Sequence, residues 1–219
     1  MIYKNFFQRI LSSFFLIFFL FLMFKKIYFF YFFIIAIFFI SAYEWFLMSR
    51  NKIYLYFGLI FLLISFVSIF LLRITYENKQ SLFFILLVIL ICALTDIGGY
   101  IFGKIFKGPK LIKISPNKTI SGMIGSFILP LSLTNVIINN NILINLINYE
   151  IQTLVNSYLL IAIISLISQS GDLIISYFKR ISKINDTGNI IPGHGGILDR
   201  IDGMIFAFPF FYIFINILL

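Results

Sequence analysis

Long apolar runs separated by short polar breaks set the pattern of this chain. A membrane-spanning helix needs roughly 20 apolar residues, with about 17 to 25 tolerated. On that measure the runs predict helices at 10–24, 27–48, 53–72, 81–102, 120–138, 157–177 and 203–219. The expected fold class is therefore all-α, a polytopic membrane helix bundle with seven transmembrane helices. The basic start MIYKNFFQRI resembles a signal peptide, but no small-residue cleavage site follows it. Lys25 and Lys26 interrupt an apolar stretch that resumes at once, so the start reads as a retained hairpin of two helices. The Asn-rich stretch at 139–150 reads as an outer loop.

Basic residues orient this layout, because cytoplasmic loops hold an excess of Lys and Arg. Thirteen of the 17 fall on the side of the N-terminus and four on the other, which places the N-terminus in the cytoplasm. Loops 103–119 and 178–202 then share the cytoplasmic face. Two parts are expected, residues 1–80 with three N-terminal spans and 81–219 with both loops as the part that carries chemistry.

Composition excludes several classes. The chain is 61% hydrophobic and 11% charged, against about 25% charged in soluble domains, so its partner is a lipid bilayer. A net charge of +9 follows from cytoplasmic retention and attraction to anionic headgroups. With no soluble domain and no basic helix outside the membrane, nucleic acid is not an expected partner. The single cysteine, Cys92, excludes an internal disulfide and a cysteine-rich metal site.

Polar residues inside the apolar runs are informative, since an ionisable group at bilayer depth costs about 2.5–3.5 kcal/mol on insertion scales. In the sixth run Ser165, Gln169, Asp172, Ser176, Lys179 and Arg180 recur at three- or four-residue steps and share one helix face. In the fourth, Asp96 precedes Gly99 and Gly103, a small-xxx-small spacing that admits a close neighbouring helix. An interhelix hydrogen bond is the structural alternative for either aspartate. Glu44, beside Tyr43 and Trp45 near a helix end, reads as an interfacial anchor.

The densest chemistry lies in Ser176–Asp202, SYFKRISKINDTGNIIPGHGGILDRID, which contains the only histidine and three of the eight acids. Glycines let backbone N–H groups approach an anion. Carboxylates suit a hard divalent cation, and Lys or Arg suits phosphate. The combination fits a metal-bound polyphosphate, although no GxxxxGK[ST] loop is present. For His194 a structural and a catalytic role stand open.

At these residues the chain resembles the phosphatidate cytidylyltransferases, or CDP-diacylglycerol synthases. Their signature is matched at Ser176, Phe178, Lys179, Arg180, Asp186, Gly188, Pro192, His194, Gly195, Gly196, Ile197, Asp199, Arg200, Ile201 and Asp202. A second matching stretch runs through Asp96, Gly99-Tyr100, Gly103-Lys104, Ser115-Pro116-Asn117-Lys118-Thr119 and Gly122. The resemblance covers residues 90–205. It implies transfer of CMP from CTP to phosphatidic acid, giving CDP-diacylglycerol and pyrophosphate with Mg2+, a second cation being left open. It also implies a homodimer in the cell (inner) membrane, with the site on the cytoplasmic face. By the resemblance Asp172 and Asp199 are metal ligands, Asp202 is a further ligand or supports the ligands from behind, and Lys118, Lys179, Arg180 and Arg200 hold phosphates. Ser115, Thr119, Ser176, His194, Gly195 and Gly196 line the substrate site.

Two positions depart from the family pattern, Asn185 in place of lysine and Ser121 in place of glutamate. They keep open a catalytically impaired relative that serves as a membrane scaffold. An ion-coupled transporter using Asp96 and Asp172 is the other alternative, but the repeated halves with broken helices that would favour it are absent. The Asp-Gly-x-x-Ala-Arg motif of CDP-alcohol phosphatidyltransferases is absent as well.

Overall fold

The computed structural model describes residues 26–76, 78–112, 115–138, 157–190 and 195–218. Among them are six helices: α1 (Ile27–Ser49), α2 (Tyr54–Thr75), α3 (Asn78–Phe106), α4 (Ile120–Ile138), α5 (Ser157–Ile181) and α6 (Leu198–Leu218). Between α3 and α4 lie two short strands, β1 (Lys110–Ile112) and β2 (Ser115–Thr119), paired antiparallel with Lys110 opposite Thr119.

The expected seven spans are corrected. Five helices, all but α4, are long and apolar enough to cross a membrane. The span expected at 10–24 lies outside the described residues. In α4 the described apolar stretch is Ile120–Leu133, too short to count among the five. A second difference is at 110–119, expected as loop, where a hairpin forms. A lone two-stranded hairpin is marginal in water, but this one is tied at its base, where Ile120 N donates to Pro109 O at 3.1 Å. Third, α6 starts at Leu198, five residues before the expected 203, so Asp199 and Asp202 stand on a helix.

Two compact units divide the chain, residues up to Val67 with Phe178–Ile201, and Ser68–Tyr177 with Asp202–Leu219. In the first, α1 and α2 are joined by a tight turn in which Asn51 takes φ 63°. Gly58 is the reason the helices come so close there. A side chain on it would fall inside the Trp45 indole, whose Nε1 donates to Leu55 O at 3.1 Å. Trp45, Tyr54 and Phe178 form an aromatic cluster with ring centroids 4.8–6.1 Å apart.

In the second unit α3 and α4 meet along a seam of small residues. A Cβ at Gly98 would press on the Gly125 carbonyl oxygen, and one at Gly99 would stand 2.6 Å from Ser126 Oγ. The spacing read at Gly99 and Gly103 thus serves close helix packing. Helices α5 and α6 approach the same way, Gly171 lying against Phe206 and the Asp202 backbone and Gly203 against Ser168. Buried Phe84, Ile85, Val88, Ile91 and Cys92 on α3, with Ala207, Phe208, Phe211 and Ile215 on α6, recur at helical spacing. Many large apolar side chains, among them Phe32, Phe57, Ile105 and Ile213, are exposed, as lipid-facing positions are.

Candidate functional site

Each unit brings one lysine onto one aspartate. In the second unit Lys118, on β2, pairs with Asp172 on α5. The hairpin explains the encounter, since it turns a segment expected as loop into a strand that aims Lys118. Ser176, one turn beyond Asp172, donates to its Oδ1 at 3.2 Å. Both partners of the pair keep contact with solvent, with side-chain exposures of 30% and 23%. Along the α5 stripe Ser165, Ser176 and Lys179 are buried, Gln169 and Asp172 are half-buried and Arg180 is exposed, and the Oγ of Ser165 and Nε2 of Gln169 are buried without hydrogen-bond partners among the described residues.

In the first unit Lys179 donates to Asp199 Oδ1 at 2.8 Å. This pair is more enclosed, at 11% and 7%. The other carboxylate oxygen, Oδ2, accepts from the backbone N–H groups of Thr187 at 2.8 Å and Gly196 at 3.1 Å. Asp199 therefore has three donors on two oxygens and ties the segments at 187 and 196 together. Gly195 sits beside it at φ +85°, a left-handed conformation that glycine adopts without penalty.

The end of α5 has its own local logic. Ile184 N donates to Lys179 O and Lys183 N to Arg180 O, with Lys183 left-handed at φ 57°. This is the 6→1 and 5→2 pattern that closes helix C-termini. It brings Asn185 back to Arg180, whose Nη1 donates to Asn185 Oδ1 at 2.6 Å. The first departure from the family pattern is thus a partner for a signature arginine. The second also has a contact, since Ser121 Oγ donates to the carbonyl of Lys107.

Thr119 accepts from Gly122 N at 3.1 Å and so caps α4. Ser115 faces Ile112 across the hairpin. Gly196 is buried, with its N–H given to Asp199. Arg180 and Arg200 are exposed. Asp202, one turn beyond Asp199 on α6, is buried and accepts from Gly203 N at 2.8 Å. His194 lies outside the described residues. Beside Asp186, Thr187 and Asn189 opens a cavity of about 290 Å³, also bordered by Met48 and Ser182.

For a metal, each unit by itself offers hard carboxylate oxygens, on Asp172 in one and on Asp199 in the other, and each carboxylate accepts from a lysine ammonium that a cation would displace. Among the described residues no group of three or more His, Cys, Asp or Glu side chains gathers as a ready-made cage. Magnesium commonly binds through one or two carboxylates plus substrate phosphates.

Glu44 corrects an expectation. Far from anchoring at an interface, it is 1% exposed. Its Oε2 accepts from Thr187 Oγ1 at 3.0 Å and Leu198 N at 2.8 Å, and its Oε1 from Ile197 N at 3.0 Å. Two of these donors are backbone amides at the start of α6, the kind that a helix cannot satisfy internally. Its one signal in the sequence is an acid inside a strongly apolar run.

Residues 49–218 match the profile of the cytidylyltransferase family. The chain is 44% identical over 119 residues to the phosphatidate cytidylyltransferase of Rickettsia typhi, an alignment that covers 54% of this chain and 52% of that one. Against the phosphatidate cytidylyltransferase of Staphylococcus aureus (strain COL) it is 43% identical over 138 residues, covering 59% and 46%. For that of Rickettsia felis the figures are 41% over 133 residues, 59% and 58%. The chain spans about half the length of the curated relatives it matches. Five long apolar helices and these relatives together make it a multi-pass membrane protein.

Proposed function

Because the chain belongs to the cytidylyltransferase family, we propose that it transfers CMP from CTP to phosphatidic acid, releasing pyrophosphate and forming CDP-diacylglycerol for phospholipid synthesis. The observation that carries this reading is the pairing of lysine with aspartate at Lys118–Asp172 and Lys179–Asp199. Both reactants are anions, so the barrier lies in bringing like charges together. A lipid phosphate is ionised at neutral pH and needs no strong base. What it needs is charge neutralisation and in-line positioning.

Lys118 and Lys179, with Arg180 and Arg200, take phosphate oxygens in this reading. Asp172, Asp199 and Asp202 hold magnesium, with room for a second cation. Once bound, magnesium supplies charge neutralisation on the phosphoryl oxygens. Ser115, Thr119, Ser176, His194, Gly195 and Gly196 stay with the substrates, the glycines by letting backbone come close. Residues 81–219 are the catalytic part and 1–80 the N-terminal membrane helices. The N-terminus and the site face the cytoplasm of the cell (inner) membrane, where CTP is dissolved and lipid headgroups are in reach, and the working unit is a homodimer.

The test is an assay of detergent-purified protein with phosphatidic acid and each of CTP, UTP, ATP and GTP, reading pyrophosphate and CDP-diacylglycerol together. CTP alone gives both products in equal amounts, and only with magnesium. Equal turnover of all four nucleotides, or pyrophosphate without the lipid product, would sink the reading. In the same assay Asp172→Asn lowers turnover by about 10²–10³, the usual scale for one preorganised electrostatic group. Its unfolding temperature hardly moves, because a partly exposed ion pair contributes about 0–1 kcal/mol to stability.

A further inference from the structure

We infer that Glu44 is a positioning residue of the transfer site, holding the start of α6 and the turn at Thr187 so that Asp199 and Lys179 keep their aim. The inference rests on the reading of the preceding subsection. Glu44 lies ahead of the stretch that matches the family profile, so no motif assigns it.

Glu44 and Asp199 hold a shared pair of chain segments. Glu44 accepts from Thr187 Oγ1 and from the amides of Ile197 and Leu198. Asp199 accepts from the amides of Thr187 and Gly196. The two carboxylates therefore clamp the same two segments, at 187 and at 196–198. Asp199 is itself the second residue of α6, so whatever fixes the Ile197 and Leu198 amides fixes the root of its side chain. Lys179 follows, since its ammonium sits on Asp199 Oδ1.

Two signature glycines make room for this acid. A Cβ at Gly188 would stand 2.7 Å from Glu44 Oε1, and one at Gly196 2.5 Å from Oε2. Both glycines thus leave space for a carboxylate arriving from α1. All the donors face Glu44 and none of its partners among the described residues is a cation. Both oxygens act as acceptors, so an amide in place of the carboxylate turns an NH2 group against an N–H or O–H donor.

The test compares wild type, Glu44→Gln and Thr187→Val in the full chain. Thr187→Val removes one donor to Glu44 and leaves the Thr187 amide for Asp199. Three quantities are read: kcat and KM for CTP, the magnesium concentration for half-maximal rate, and hydrogen exchange of the amides at 187 and 195–198 without substrate. Partners that orient a liganding group are typically worth about 10–100-fold. Glu44→Gln is expected to lose about that much in kcat with KM for CTP little changed, to need more magnesium, and to exchange these amides faster. Thr187→Val shifts all three in the same direction by less, and decides the matter if Glu44→Gln does not fold. An active wild type beside variants with unchanged kcat, magnesium requirement and exchange overturns the inference. So does a loss of rate with no change in exchange. A wild type that transfers no CMP overturns the preceding subsection instead, and the exchange comparison still shows whether Glu44 holds the clamp.

Discussion

Asp199→Asn is expected to remove at least about a hundredfold of the proposed CMP-transfer rate, on the scale of a single preorganised electrostatic group. The geometry gives two reasons for so large an effect. The carboxylate holds Lys179 with one oxygen and the Thr187 and Gly196 amides with the other. All three partners are donors, so asparagine places its own NH2 against one of them, and an unsatisfied buried donor costs about 1–3 kcal/mol. The substitution also removes the negative charge that, in the proposed reaction, meets magnesium. A folded Asp199→Asn protein, by near-ultraviolet circular dichroism, with a rate within threefold of wild type would remove Asp199 from the site.

Gly98→Val is expected to have the largest effect on folding. Its Cβ would press on the carbonyl oxygen of Gly125, 3.0 Å from the carbonyl carbon and 3.1 Å from Leu129 Cβ. The obstacle is backbone, which has no rotamer to yield, so α3 and α4 must part. Overpacking a well-fitted contact costs about 1–3 kcal/mol, and parting the helices also gives up the close packing that holds membrane helices together. Little folded protein is expected in detergent by size-exclusion chromatography. Gly103→Ala supplies the contrast: its Cβ meets Thr119 Oγ1 at 3.0 Å, a side chain that can turn, so that variant should fold with a lower unfolding temperature. Equal behaviour of the two variants would contradict the seam.

Much of this was legible in the sequence, and the reasons can be given residue by residue. Apolar run length fixes where helices lie, because a bilayer admits few lengths, and α1, α2 and α5 begin within a residue of their expected starts. Gly99 and Gly103 announced a close helix neighbour through spacing alone. The α5 stripe announced Asp172 through periodicity, and the resemblance pointed to Asp199. Harder to read were features set by tertiary partners. The hairpin at 110–119 alternates only at Ile112 and Ile114, has no apolar residue but Pro116 in Ser115–Thr119, and is built between two helix ends. At the early start of α6 the amides of Ile197 and Leu198 find their acceptors on Glu44, more than 140 residues away. Backbone amides have no residue-type signature, so their partner is invisible in a motif. That is why an acid beside Tyr43 and Trp45 reads as an anchor until the fold is known.

The most direct test of the central claim follows the phosphorus atoms. Purified protein in phosphatidic acid-containing micelles with magnesium is given CTP labelled either at the α-phosphate or at the γ-phosphate, and the lipid and aqueous products are separated. CMP transfer puts the α-label in the lipid as CDP-diacylglycerol and the γ-label entirely in pyrophosphate. Label from the γ-phosphate in the lipid, or no labelled lipid from folded protein with either substrate, would contradict the account.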